Sequence, residues 1–357
     1  MVNYIFVSFQ IYCKMETKKT FLPLSITGDF QTSKHIAIPC LDWLQFNFDG
    51  MFLKSPFFDC AKLDYSTRTF KNIFEISKGK WRKATIVNEP LSSIIPPKTN
   101  LIKLDNRELY WKLPVKRIME IGAAHQLHYH CASRIDVAID FNTFFGNRDP
   151  AKFITDFMQN KFIKKGHNSF QCMGKQDNKF LFHYLKFSKA NSNIQAYLYN
   201  KSKELREVKK KNYIIEHWEK NGLDVSSDVW RLEFAIHNPK FNITDKHTGE
   251  VQQFNPILLD NENYLRVVTN ILINKYWDFR YNDNQKVINR MTKVKLFNNI
   301  TDRYIIGYSS ETPDTTKADR QFLNKLKDLN NECRALANSE AYSTNIIVNY
   351  FKKTRKL

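Results

Sequence analysis

The chain is expected to be an α+β protein, with an antiparallel-rich sheet core in two lobes over residues 15–245 and an α-helical C-terminal region over 246–357. Three observations predict this. Period-two alternation of apolar and polar residues dominates the first two thirds of the chain. Helical spacing takes over after His247, so strands are followed by helices. With 10 Gly and 11 Pro in 357 residues and no repeat of fixed period, there is neither a long flexible linker nor a solenoid.

Residues 1–14, MVNYIFVSFQIYCK, are apolar but too short to span a bilayer, and they lack a basic start and a small-residue cleavage site. They read as a non-native extension, with translation starting at Met15. Residues 41–48 (LDWLQFNF) set Trp43, Gln45 and Asn47 against Leu44, Phe46 and Phe48, the pattern of a half-buried strand. Residues 69–76 form a second strand. Residues 100–111 form a third that turns at Asp105-Asn106 and resumes at Leu109. Pro114 opens a helix running towards Ala124.

Residues 134–141 (RIDVAIDF) make the clearest strand, with Ile135, Val137 and Ile139 on one face and Arg134, Asp136, Ala138 and Asp140 on the other. Residues 149–162 suit a helix, capped by Asp149 with Pro150 at its first position. Strands follow at 179–187 and 194–200, then a charged helix over 201–218 and another alternating strand at 229–237. Residues 252–298 look helical. The stretch 314–340 carries Phe322, Leu326, Leu329, Cys333 and Leu336 on one stripe, which suits helix packing or a dimer contact.

Charge narrows the class of partner. Lys and Arg outnumber Asp and Glu 55 to 36, a net +19, which favours a polyanion. The cations cluster at Lys164-Lys165, at Lys209-Lys210-Lys211 and in the tail 352–356. Six cysteines without a CxxC fit neither a zinc site nor a small disulfide scaffold, so reduced thiols in the cytoplasm are expected. No basic amphipathic anchor or membrane span stands out, and a membrane role is not expected.

Three strands concentrate polar groups on one face. RIDVAID carries Asp136 and Asp140; YLYNK carries Tyr197, Tyr199 and Lys201; WRLEF carries Arg231 and Glu233. In one sheet these faces would converge. Carboxylates alone suit a hard cation such as Mg2+ or Mn2+. A tyrosine hydroxyl, with a pKa of about 10, needs a cation such as Lys201 or a metal beside it to favour the tyrosinate. Each strand taken singly also suits ordinary packing and a solvated face.

The ordered set RIDVAIDF, YLYNKSKE and VWRLEF resembles the Rep_trans-type replication initiators of rolling-circle plasmids, across roughly residues 40–240. The resemblance implies a Rep nickase-like fold related to the HUH enzymes. It implies Tyr199 as nucleophile in site-specific nicking and strand transfer, through a 5′-phosphotyrosine that frees a 3′-hydroxyl primer. Lys201 and Glu204 flank it. Some members carry Arg two residues before the nucleophile; Tyr197 stands there, as a substitute nucleophile or a stacking residue. Asp136, Asp140 and Glu233 fall on the acidic positions assigned to Mg2+ or Mn2+. Arg134 and Arg231 fall on the family's arginines, for phosphate contact or pairing with these acids, and Lys209, Lys210 and Lys211 would grip duplex DNA. The implied partners are a double-strand origin exposing a single-stranded hairpin loop, a second copy of the chain and a host helicase, in a bacterial cytoplasm. A conjugative relaxase with the same chemistry, or a non-catalytic origin-binding protein, are the alternatives. His128-Tyr129-His130 resembles the metal-binding pattern of HUH nickases, but the resembled family relies on acids instead.

Overall fold

The computed structural model describes residues 36–307, apart from 167–168, 177–179, 189–191, 208–210, 284, 299 and 301–302. The expectations for residues 1–14, Lys209, Lys210, the stretch 314–340 and the basic tail lie outside the described residues. In chain order the main elements begin with β1 (Ala37–Asp49), β2 (Asp59–Lys62), β3 (Phe70–Lys78), β4 (Trp81–Pro90) and β5 (Thr99–Leu104). Then come the helices α1 (Asn106–Leu109) and α2 (Pro114–Ala124), the strand β6 (His128–Phe141) and α3 (Pro150–Met158). The strands β7 (Phe162–Lys164), β8 (Phe170–Gln176), β9 (Phe180–Phe187) and β10 (Ile194–Asn200) follow. The helices α4 (Lys201–Glu207) and α5 (Asn212–Lys220) precede β11 (Trp230–His237), and α6 (Glu262–Tyr276) lies beyond it.

The fold is α+β, built on one ten-stranded sheet in the order β2-β3-β4-β5-β1-β6-β11-β10-β9-β8. Every pairing in it is antiparallel. The two expected lobes are therefore halves of one continuous sheet, joined where β1 pairs with β6. The long alternating runs at 37–49 and 128–141 make this join, because each has one largely apolar face to bury.

The apolar face packs Leu44, Phe46 and Phe48 of β1 and Ile135, Val137 and Ile139 of β6 against Val115, Ile118 and Ile121 of α2, Phe153 and Ile154 of α3, and Val267, Val268 and Ile271 of α6. Residues on both sides of position 245 thus share one core. The opposite face is polar in its middle strands. At one end it is roofed by α4 and α5, where Leu205, Ile214 and Trp218 pack on Ile38 and Val229, and at the other Phe70, Ile73 and Val87 pack with Leu63 and Ile95.

Several local expectations are corrected. Residues after Asp105 do not resume a strand: the Asp105 side chain accepts a hydrogen bond from the Arg107 backbone N–H and starts the helical turn α1 instead. The charged helix expected over 201–218 is two helices, α4 and α5. Of the stretch 252–298, only α6 is an α-helix. The helix expected over 149–162 ends at Met158, with Asp149 capping it as expected by accepting from the Ala151 N–H.

Gly122 in α2 lies against the Phe48 ring, and a Cβ there would fall 2.3 Å from Phe48 Cε1. Phe48 is buried in the core and has nowhere to retreat. Gly122→Ala would gain about 1 kcal/mol of helix propensity, but overpacking costs about 1–3 kcal/mol. A net loss of thermal stability, read by circular dichroism, is the expected outcome; a higher melting temperature would refute this packing.

Candidate active site

The alternation of β10 sends Ile194, Ala196 and Leu198 into the core and turns Gln195, Tyr197 and Tyr199 to the polar face. The register then sets the neighbours. Tyr199 pairs with Arg231 and Tyr197 with Glu233 across β10–β11. Arg231 pairs with Asp140 and Ala235 with Asp136 across β11–β6. The three polar strand faces do converge.

Tyr199 donates its hydroxyl hydrogen bond to Glu233 Oε2 at 2.7 Å. Lys201 Nζ donates to the Tyr199 hydroxyl at 3.4 Å and to Glu204 Oε2 at 2.8 Å. Lys201 is not a strand residue, as alternation implied, but the first residue of α4. Asn200 ends β10 and accepts the Lys203 backbone N–H at 2.8 Å, capping the helix. That sharp strand-to-helix turn folds the buried Lys201 back beside Tyr199. The tyrosine borders a cleft of about 380 Å³ that is also lined by His183, Tyr184, Tyr197, Glu204 and Glu233.

Arg231 is fully buried. Its Nε and Nη2 donate to the two oxygens of Asp140 at 2.6 and 2.7 Å. Nη2 also donates to the Tyr110 hydroxyl at 2.7 Å, and Nη1 pairs with Asp42. Asp140 in addition accepts from Trp218 Nε1 at 2.7 Å. Of the two roles expected of Arg231, phosphate contact or pairing with the acids, the geometry is that of pairing: its donors are turned inward onto carboxylates. Arg134 pairs instead with Asp136, with Nε to Oδ1 at 2.9 Å and Nη2 to Oδ2 at 2.5 Å, while staying half-exposed.

Asp42 belongs to the site although nothing in the sequence reading pointed to it. Alternation places it with Leu44, Phe46 and Phe48 on the apolar face. A bulge between the pairs Leu41/Val137 and Trp43/Asp136 turns it to the polar face instead. There it meets Arg231, accepts from Asn106 Nδ2 at 3.3 Å, and lies 4.0 Å from Lys201 Nζ. A lone acid in an otherwise apolar register was the available signal.

The expected trio of metal ligands is not brought together. Asp140 and Asp136 each present both oxygens to an arginine, and Glu233 stands with Tyr199. Among the described residues no group of three His, Cys, Asp or Glu side chains is placed to hold a metal ion. The donor set as arranged does not fit Mg2+ or Mn2+. His128 and His130 are exposed at the far end of β6, where His130 pairs with Asp49 at 3.1 Å, away from Tyr199. Lys211 is half-buried and donates to Asn106 Oδ1 at 3.3 Å.

The electrostatics separate the acids. Burial pushes Asp42 up, but Arg231 and Lys201 outweigh it and hold its carboxyl well below the usual range. Burial, then the charges of Asp42 and Asp136, push Glu233 up to about 7. Tyr199 is pushed well above 10, by burial first and Glu233 second. Burial and Glu233 thus outweigh Lys201, whose ammonium lies 3.4 Å from the hydroxyl. The hydroxyl stays protonated at rest and has a carboxylate at 2.7 Å to receive its proton.

No protein-family model matches the chain, and no curated protein matches it. Among solved structures, a rolling circle replication initiator protein from Geobacillus stearothermophilus aligns with a TM-score of 0.44 at 12% identity, over 72% of this chain and 92% of that one. Among the described residues no helix is long and apolar enough to cross a membrane.

Removing Asp140 leaves a buried guanidinium short of a partner. Asp140→Asn is expected to cost about 3 kcal/mol or more in urea denaturation, whereas Lys71→Ala, which breaks the exposed Lys71–Glu89 pair, is expected to leave the midpoint nearly unchanged. Equal losses in the two variants would mean that Arg231 is not held as described.

Proposed function

We propose that the chain is a DNA nicking and strand-transfer enzyme that initiates rolling-circle replication. The observation that carries the proposal is the pair Tyr199–Glu233, a hydroxyl and a carboxylate 2.7 Å apart at the edge of a cleft on a strongly basic protein. The ordered motifs around Tyr199, Asp140 and Glu233 support the same reading.

The chemistry is general-base-assisted attack. Glu233 takes the phenolic proton as Tyr199 Oη bonds to the phosphorus of the scissile phosphodiester. The bond to the 3′ oxygen breaks, that oxygen takes a proton from solvent, and the products are a 5′-phosphotyrosine and a free 3′-hydroxyl. The reverse reaction reseals the strand. Lys201 faces Oη and offsets negative charge as it develops there. Tyr197 lies on the same strand face, and its hydroxyl donates to Gln195 Oε1 and, among the described residues, to no carboxylate. Tyr199 is therefore the nucleophile favoured by the hydrogen bonds. The proton transfer is assigned to side chains. The substrate would be a single-stranded loop of the origin, since the scissile phosphate must reach Tyr199 outside a duplex. A second copy of the chain and a host helicase are the further partners proposed.

The test is a covalent adduct. Protein incubated with a single-stranded oligonucleotide carrying the nick site is expected to give a denaturant-stable species on a gel, lost in Tyr199→Phe and kept in Tyr197→Phe. Loss in Tyr197→Phe alone would move the nucleophile. No adduct from wild type on DNA that it binds would remove the catalytic reading.

The pH dependence has a definite sign. Glu233 must be ionised to accept the proton, and its pKa is raised to about 7. The adduct rate should therefore rise as pH increases through about 7 and level off above it, falling about tenfold per unit below. Glu233→Gln is expected to slow the reaction at least about 100-fold and to abolish the inflection. A rate flat across neutrality in wild type would exclude Glu233 as the base.

A further inference from the structure

The polar sheet face continues past the candidate active site, and nothing assigned so far uses that part of it. Trp43 of β1 stands there between two cations from the flanking strands. Lys103 Nζ of β5 is 3.3 Å from the centroid of its ring, and Arg134 Cζ of β6 is 4.2 Å away. The indole N–H donates to Gln45 Oε1 at 3.2 Å, and Gln45 Nε2 in turn donates to Ser133 Oγ at 3.1 Å, so the ring is fixed.

Lys103 has no ion pair among the described residues. Burial, then Arg134 and Arg82, lower its pKa to about 8. Asp105 and Asp136 act the other way, and an added anion would further favour the ammonium. Arg134 lies close enough to Tyr197 to interact with it electrostatically. Beyond it, Lys186 Nζ sits 5.1 Å from the Tyr197 ring, and Tyr184 lies 6.4 Å from it, centroid to centroid. From β5 to β10 the sheet order crosses β1, β6 and β11, four strand spacings or roughly 19 Å. Along that line aromatic rings alternate with cations and end at the cleft of Tyr199.

We propose that this row, from Trp43 and Lys103 through Arg134 to Tyr197, is a binding track for single-stranded DNA that leads the strand to Tyr199. A base stacks on Trp43 by displacing the Lys103 ammonium from the ring, and the freed ammonium engages the neighbouring phosphate. Stacking on aromatics is tolerant of sequence because every base offers a flat face. The partly roofed polar face and the net charge of +19 match a strand that is flat on one side and anionic on the other. The track rests on the nicking reading above, since it presents DNA to that site.

The test is fluorescence anisotropy with a labelled single-stranded oligonucleotide of about 12 nucleotides and its duplex, over a range of salt. Trp43→Ala is expected to weaken single-strand binding about 10-fold, with Trp43→Phe retaining most of it and duplex binding unchanged. Lys103→Gln is expected to lower the slope of log affinity against log salt by about 0.7, one phosphate contact. Circular dichroism identifies any variant that has lost its fold, and Lys103→Gln and Trp43→Phe are mild enough to decide the matter if Trp43→Ala has. Wild-type affinity and salt slope in both Trp43→Ala and Lys103→Gln would overturn the track while leaving the nicking reading standing. Failure of the wild-type protein to bind single strands at low salt would overturn both.

Discussion

The buried guanidinium of Arg231 is the constraint on which the site depends. A charge with no exposure is stable only if its donors are filled. Arg231 fills them from three directions: Asp140 on the neighbouring strand, Asp42 one strand further, and the Tyr110 hydroxyl. Asp42 reaches it only because β1 bulges. Trp218 completes Asp140 from above and thereby seats α5 on this end of the sheet. One ionic node thus ties three strands and a helix into a fixed frame beside Tyr199.

The same node explains why Glu233 differs from its neighbours. Two cations, Arg231 and Lys201, already face three carboxylates, Asp42, Asp140 and Glu204. Arg134 is taken by Asp136. Among the described residues Glu233 makes no ion pair, and burial together with the charges of Asp42 and Asp136 outweighs Arg231 and raises its pKa into the neutral range. A structural ion network therefore produces a base suited to proton transfer near pH 7, next to a hydroxyl that burial keeps protonated. The acids that bind arginine hold geometry, and the acid that does not is free for chemistry.

The two faces of the sheet divide the work of the molecule. The apolar face carries the core with α2, α3 and α6, and supplies stability. The polar face carries the network, the cleft and the row of rings and cations. Because successive residues of a strand point to opposite faces, a strand such as β6 serves both without compromise: Ile135, Val137 and Ile139 hold the fold while Arg134, Asp136 and Asp140 serve the site.

Much of this was legible in the sequence. Alternation alone placed β1, β6, β10 and β11 and sorted their residues between faces, since the period of a strand is a local property. It grouped Tyr199, Glu233, Asp140 and Arg231 on polar faces that do meet. Tertiary structure decided what those groups do. Asp42 enters the site through a bulge, which shifts register between two strands and shows in the sequence only as a lone acid in an apolar register. Lys201 reaches Tyr199 through a helix cap and not along a strand. Which carboxylates an arginine claims depends on strands brought together from more than 90 residues away, and so does the pairing that leaves Glu233 with Tyr199. Local sequence determined the faces; long-range packing determined the partners, because burial and charge balance exist only once the strands are side by side.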